Sequence, residues 1–450
     1  MSRGVLRGWD SRTTFVLALS ASAVGLGNLW RFAWLAGEHG GAPFVLAYVV
    51  CLFVVACPIL IAEVIIGSHG RGSPVGAIRW AADRSLRSRG WVAVGLFTCL
   101  TGYLLLSYQA VVAGWSLAFA NELRSGAFSA ASAPMVGQYF ESLLNAPGEM
   151  LRWQTLFLLL MAVVLALGVR RGVGLMVWLS VPALIAILGV LVVFAMDQGD
   201  LAATQDFLFT VRMIDFTYES VLAALGHAFF TLGVGVGAGI CYGAYAPVRV
   251  PIGRSVVAVA LFDLVVALAM GLAIFPLVFA NNLEPSAGPA LLFVSLPYAF
   301  GNMIQGELFG FLFFLFVVIA ALGSAVAMAE PIVSLIRHWL RCTRFFAVFL
   351  VMLAVWFASL AVALSFNNGP VVFLVAGRSL FEFLDWITVQ WLLPLASLGL
   401  ILFVGWRMRP AILREELCRE TDLFFSQWLL WLRYIAPPAT VVAMLSVALL

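Results

Sequence analysis

The sequence predicts an all-α polytopic membrane protein of about eleven transmembrane helices, built as two inverted five-helix repeats with discontinuous helices one and six. Three observations carry this prediction: the composition, the side on which the arginines fall, and two glycine-rich interruptions in corresponding spans. Of 450 residues, 63% are hydrophobic and only 10% charged, and the mean hydropathy is +1.06. A soluble domain of this length could not hide so much apolar surface, so the bilayer is the solvent. Backbone polar groups in lipid must be satisfied within the segment, which makes long apolar runs helices rather than an open sheet. The net charge is +3 and every basic residue is Arg, an imbalance too small to point to nucleic acid. Cys51, Cys57, Cys99, Cys241, Cys342 and Cys418 fall in apolar spans or in loops expected inside the cell, with no CxxC pair. That pattern favours neither a disulfide framework nor a zinc site.

Roughly 20 apolar residues cross a bilayer. By that ruler the spans fall near 13–36, 42–67, 91–121, 153–169, 175–196, 218–245, 255–281, 308–338, 345–364, 380–405 and 424–449. Segment 122–150, rich in Ala and Ser, and segment 286–302, punctuated by Pro289 and Pro297 just after Pro285, read as external loops, the second one structured. Arg3, Arg7 and Arg12 precede the first span, which lacks a small-residue cleavage site and outlasts a signal-peptide core, so it is expected to be retained. Arg71, Arg79, Arg84, Arg87 and Arg89, then Arg170 and Arg171, Arg249 and Arg254, Arg337, Arg341 and Arg344, and Arg407, Arg409, Arg414 and Arg419 share that side. The opposite loops carry Asp197, Asp200, Asp206, Asp215 and Glu284. The positive-inside rule puts the N-terminus in the cytoplasm and, after an odd number of spans, the C-terminus outside the cell (inner) membrane.

Span one contains Ser20-Ala21-Ser22-Ala23-Val24-Gly25-Leu26-Gly27-Asn28, and span six contains Phe230-Thr231-Leu232-Gly233-Val234-Gly235-Val236-Gly237-Ala238-Gly239. Each Gly costs a helix about 0.8–1 kcal/mol relative to Ala, and four at alternate positions predict a break. Bare backbone at that depth is tolerated only where protein or ligand satisfies it. The two breaks lie five spans apart, an odd offset that inserts the second set upside down, as in inverted repeats with a midplane binding site. Half-helix N-termini would face a carboxylate, and freed carbonyls would suit a cation. The plainer alternative is close helix packing through small residues.

Residues Trp9-Asp10-Ser11-Arg12 through Ala23-Val24-Gly25-Leu26-Gly27-Asn28-Leu29-Trp30-Arg31-Phe32 resemble the first helix of the neurotransmitter:sodium symporter family, of the bacterial amino-acid transporter type with the leucine-transporter fold. Gly40-Gly41 and Glu63 fit its second helix, Phe230-Thr231 its sixth, Ala320 to Ser324 with Glu330-Pro331 its eighth. Gly172, nine residues, then Pro182 resemble the Gly-x9-Pro element of the fifth, where unwinding accompanies inward opening. The resemblance covers about residues 9 to 405, and implies repeats at 11–200 and 215–406 with an accessory helix at 423–450. It implies two sodium sites. The first would use the Ala23 carbonyl, Asn28, Thr231, residue Asp263 and the substrate carboxylate; the second, carbonyls of Ala21, Val24 and Ala320 with the Ser324 hydroxyl. Such hard oxygen ligands suit a dehydrated hard cation. Amides near Gly25 and Gly27 would hold the substrate carboxylate under Phe230. Arg31 and Asp385 would form the outer gate, and Trp9 and Tyr245 belong with the inner one.

Departures from the family pattern are informative. Asp263 stands where the family usually has Asn, and Ala267 where it has Ser or an acid. A buried carboxylate needs a cation partner or takes a proton. Asp263 therefore either ligates sodium and supplies the charge that chloride otherwise gives, or hydrogen-bonds as the acid. Counting back from Trp115, Gln109 replaces the pocket Tyr. Its neighbour Tyr108 is turned about 100° away and is not expected to substitute, whereas Gln109 either donates to a carboxylate or is simply tolerated. Gly323 replaces a hydroxyl residue, which weakens the second sodium site. Arg7 is one residue closer to Trp9 than the family spacing, and His338 stands where an acid is expected, so an inner Arg–Asp pair is not predicted from them. Glu330 is an ionisable group in a span, either functional or paired locally. His227 is either proton-sensitive or a packing residue.

Leu105, Gly233, Val236 and Met328 are expected to line the side-chain pocket; none is charged, which fits a neutral, hydrophobic amino acid, and Met328 adapts to several. The expectation is a sodium-coupled symporter, independent of chloride, working by alternating access. No Walker-type loop supports an ATP-driven pump, and no nucleophile–base pair supports an enzyme. Alternatives are a proton-coupled permease of the same fold, using Asp263, Glu330 or His227, and a non-transporting amino-acid receptor. The partners implied are the amino acid, Na+ and the lipid bilayer, with no obligatory protein partner.

Overall fold

The computed structural model describes residues 8–211, 216–285, 290–366, 374–375 and 378–445. Arg3, Arg7, Asp215 and Pro289 lie outside the described residues, as do the last residues of the accessory helix. Nine described helices are long and apolar enough to cross a membrane: Ala42–Gly70, Arg89–Ser125, Pro147–Ala166, Val169–Gln198, Ile252–Ala280, Gly306–Leu340, Arg344–Leu364, Leu380–Arg407 and Asp422–Leu445. The bent pair Arg12–Ala23 and Gly27–Glu38 makes a tenth among the described residues, while the eleventh expected from hydropathy, span six, is split into Tyr218–Thr231 and Ala238–Ala244, each shorter than a span.

Span one begins at Ser11, whose extended backbone and side chain cap the helix by accepting the Thr14 N–H at 3.1 Å. Its first half, Arg12–Ala23, ends at an extended Val24 (φ −72°, ψ 102°). The second half, Gly27–Glu38, leaves at 50° to the first. Span six runs as Tyr218–Thr231 and resumes as Ala238–Ala244. Between them Gly233, Gly235 and Gly237 have φ of +60°, +86° and +76°. That left-handed region is open to Gly and costly for other L-residues, which explains the alternating glycines. Both interruptions are breaks rather than tight packing seams.

The loops hold more structure than hydropathy foresees. The arginine-bearing stretch after span two folds as Pro74–Arg84, capped by Ser73, with Val75, Ile78 and Ala81 buried and Arg79, Asp83 and Arg84 exposed. The Ala- and Ser-rich loop contains helix Ala133–Leu144, helix Leu201–Phe209 precedes span six, and the Pro-punctuated segment contributes Leu291–Gly301. All are shorter than a span, so a 20-residue ruler passes over them. Leu374–Val375 and Arg378–Ser379 form an antiparallel strand pair, the only sheet among the described residues.

Spans three and eight lie against each other, and span two packs on Ala238–Ala244. That second contact is close enough that a methyl at Gly67 would overlap the Ile240 carbonyl. Overpacking of this kind typically costs about 1–3 kcal/mol. Gly67→Ala is therefore expected to lower the melting temperature of the purified protein, whereas Gly148→Ala, with nothing within 4 Å of its added carbon, is expected not to lower it.

Candidate functional site

The last carbonyls of a helix have no partner in its own ladder. At the end of Arg12–Ala23, Ser20 accepts the Val24 N–H at 2.9 Å, leaving Ala21, Ser22 and Ala23 as the terminal carbonyls. Across the break, Asn28 Oδ1 accepts the Gly25 N–H at 3.5 Å. The Asn28 amide also donates to Asp263, 2.9 Å to Oδ1 and 3.2 Å to the main-chain carbonyl. Thr231, at the end of the first half of span six, donates its hydroxyl to the Asp263 carboxylate at 3.0 and 3.1 Å and lies 3.2 Å from Asn28 Oδ1. Tyr48 of span two donates to Asp263 Oδ2 at 2.7 Å. Asn28, Asp263 and Tyr48 are fully buried and Thr231 is 2% exposed. An amide and two hydroxyls, all neutral, thus surround a carboxylate where the two breaks meet span seven.

The second group of predicted residues also converges. A Cβ on Gly323 would come 2.5 Å from the Ala21 carbonyl oxygen, and one on Gly25 would come 2.7 Å from Ser324 Oγ. Ala21, Val24, Ala320 and Ser324 are all buried along this seam between span one and span eight. Ser324 currently donates to the Ala321 carbonyl at 3.1 Å. The break in span six has its own acceptor: Glu63 takes the N–H of Gly235 on Oε1 at 2.7 Å and that of Gly239 on Oε2 at 3.1 Å.

Above the breaks, Leu26, Trp30, Arg31, Trp34, Tyr108, Gln109, Phe230 and Asp385 line a small recess. Arg31 Nη1 stands 3.4 Å from Asp385 Oδ1, and its guanidinium lies 5.3 Å from the Phe230 ring centre. Tyr108 donates to the same Asp385 oxygen at 3.0 Å. Tyr108 and Gln109 thus border one recess despite their angular offset, with the Tyr108 hydroxyl committed to Asp385. Below, a Cβ on Gly102 of span three would lie 3.2 Å from the Val236 carbonyl and 3.5 Å from that of Met328. Leu105, Val236 and Met328 are buried, and Gly233 is partly exposed. His227 packs among Phe32, Phe44 and Tyr48, its ring centre 4.9 Å from that of Tyr48. Neither of its nitrogens has a hydrogen-bond partner among the described residues.

At the opposite end, Trp9 donates its main-chain N–H to the Tyr245 carbonyl at 2.8 Å and its indole N–H to that of Tyr242 at 3.2 Å. Tyr245 donates to Glu330 at 3.0 Å. Arg344 grips Glu330 with both terminal nitrogens, at 2.8 and 2.5 Å, and donates Nε to the Leu165 carbonyl at 2.6 Å. Glu330 is therefore locally paired, and His338 is exposed away from this cluster.

The sequence model of the sodium:neurotransmitter symporter family matches residues 7–126 and 136–449. The chain belongs to that family. Among its symporter relatives, an uncharacterized sodium-dependent transporter of Bacillus subtilis, YhdH, is 32% identical over 448 residues, 97% of each chain. An uncharacterized sodium-dependent transporter of Haemophilus influenzae is 27% identical, again over 97% of each. The crystal structure of MhsT in complex with L-phenylalanine superposes with a TM-score of 0.90 at 33% identity, covering 98% of this chain and 99% of that one. This chain is thus a sodium-dependent transporter with the inverted-repeat fold and discontinuous helices one and six. Two residues here escape sequence reasoning: Tyr48 reads as one more apolar aromatic in span two, and Arg344 only as a positive-inside charge. Glu63 belongs to the resemblance, but its contact with the break in span six is not readable from the sequence.

Parting a buried ion pair by removing one member typically costs about 3–5 kcal/mol, because the other charge is stranded. Arg344→Gln is expected to destabilise the symporter by that order in thermal unfolding, and Glu330→Gln/Arg344→Gln to be more stable than Arg344→Gln alone.

Proposed function

We propose that this transporter is a sodium-coupled symporter that imports neutral, hydrophobic L-amino acids by alternating access and needs no chloride. The observation that carries the proposal is the convergence of Asn28, Thr231 and Asp263 where both helix breaks meet. A first sodium would be held there by the Ala23 carbonyl, Asn28, Thr231, Asp263 and the substrate carboxylate. The Thr231 hydroxyl can rotate to present its lone pairs, and Asp263 supplies a fixed negative charge without a bound anion. A second, weaker sodium would lie between Ala21, Val24, Ala320 and Ser324, where Gly323 offers no hydroxyl. The amides at Gly25 and Gly27 would take the substrate carboxylate beside Gln109, with Phe230 above it, while Leu105, Gly233, Val236 and Met328 face its side chain. The MhsT complex with L-phenylalanine supports a hydrophobic amino acid.

The arginine-rich end is the cytoplasmic one in this proposal, with the N-terminus inside and the C-terminus outside the cell membrane. The repeats span 11–200 and 215–406, followed by the accessory helix at 423–450. Arg31 with Asp385 closes the outer path, and Trp9 with Tyr245 the inner one. Each charge moving inward gains about 2.3 kcal/mol per 100 mV, enough to accumulate substrate without ATP. A proton-coupled permease is the second reading, favoured by the two unpartnered nitrogens of His227 beside Tyr48.

Uptake of labelled amino acids into proteoliposomes separates these. It is expected to require sodium, to persist when gluconate replaces chloride, and to favour hydrophobic side chains. Asp263→Ala is expected to weaken apparent sodium affinity by about 10- to 100-fold, the worth of one charged ligand. Uptake in choline, chloride dependence, or unchanged sodium affinity in that variant would refute the corresponding part.

A further inference from the structure

The first half of span one is held on two sides at its cytoplasmic end. Toward spans six and seven, Trp9 bonds the Tyr242 and Tyr245 carbonyls, and Arg12 Nε donates to Ser255 Oγ at 3.2 Å. Toward span five, Asp10 pairs with Arg170, and Trp178 Nε1 donates to Thr14 Oγ1 at 3.0 Å. These four residues share one recess. Asp10 and Arg170 are half-exposed, whereas Thr14 is buried.

Arg170 sits in a π turn, Val169–Gly174, that opens span five. It follows Gly168 at φ +88°, and a side chain on Gly172 would overlap the Val164 carbonyl. The two contacts are spaced for a grip rather than a hinge. Asp10 and Thr14 are four residues apart on one segment, and Arg170 and Trp178 eight apart on the other. Those spacings correspond to about one and two helical turns. Two points of attachment oppose pivoting of one segment on the other about either contact alone.

We propose that Asp10 and Arg170, with Thr14 and Trp178, are positioning residues that clasp the first half of span one to the start of span five, so that the two leave their inward-closed position as a unit. This rests on the alternating-access reading above. The contacts that part in such a movement are those toward spans six and seven, Trp9 with the Tyr242 and Tyr245 carbonyls and Arg12 with Ser255. The half-exposed Asp10–Arg170 pair holds only weakly alone, and the bond from Trp178 to the buried Thr14 supplies the second tie and its direction.

Amide hydrogen exchange of the full-length protein in lipid nanodiscs, in sodium without substrate, tests this. Asp10→Arg and Arg170→Asp, made singly, are expected to raise exchange in both 12–18 and 169–175, about two- to fivefold for an ion pair of this exposure. Combining the two reversals is expected to return both segments to the original rates. Trp178→Phe, which removes only the indole N–H, is expected to raise exchange in both again. Adding potassium chloride to 1 M is expected to bring the unaltered protein toward the single variants, since the pair is screened. Unchanged exchange in span three, Arg89–Ser125, reports an intact fold. A rise confined to one segment, or a reversed pair as open as the single variants, would overturn the clasp. Because exchange does not depend on what is carried, failed uptake of hydrophobic amino acids alongside a coupled response would sink the substrate reading and leave the clasp standing.

Discussion

Main-chain polar groups at membrane depth must find partners, and everything else in this molecule follows from where two helices deny them one. Span one loses its ladder after Ala23 and span six after Thr231. An open N–H or carbonyl there costs several kcal/mol in lipid. The chain answers with side chains. Glu63 takes two amides of the second break, 2.7 Å from Gly235 N and 3.1 Å from Gly239 N, and Asn28 takes one of the first. Among the described residues, what stays uncommitted is the set of terminal carbonyls at Ala21 and Ala23 and the amide of Gly27, groups that suit a cation and a carboxylate.

Buried charge is distributed by the same constraint. Asp263 has only neutral donors about it, an amide and two hydroxyls, so its environment can accept a cation without first breaking an ion pair. Glu330, in contrast, is held by both terminal nitrogens of Arg344 and has no such vacancy in its chemistry. The two acids looked alike in the sequence as ionisable groups inside spans. Their partners divide them into one fit for a cycling ligand and one fit for a fixed tie between spans eight and nine. Arg31 and Asp385 sit between these cases, 3.4 Å apart and partly exposed at the mouth of the recess.

Much of this is legible in the sequence. Hydropathy marks the long spans because lipid leaves helices few alternatives, and alternating Gly233, Gly235 and Gly237 foretell a backbone that side chains could not adopt. Asn28, Thr231 and Asp263 come together as expected from the resemblance. The short helices Pro74–Arg84 and Leu291–Gly301 were not legible, because neither reaches the length at which hydropathy speaks. Tyr48 was missed because contact with Asp263 depends on the rotation of span two, which composition does not encode. Tyr108 and Gln109 both border the recess, but the Tyr108 hydroxyl is spent on Asp385, a contact that angular offset alone does not reveal.

The central claim, that the exposed main chain at the first break holds a carboxylate together with sodium, is tested most directly by equilibrium binding to the purified protein. Labelled L-phenylalanine and its decarboxylated counterpart, phenethylamine, differ only in the group at issue. The account predicts that the amino acid binds in sodium and not in choline, and that the amine binds in neither. Equal binding of the amine, or amino-acid binding that survives the loss of sodium, would contradict it.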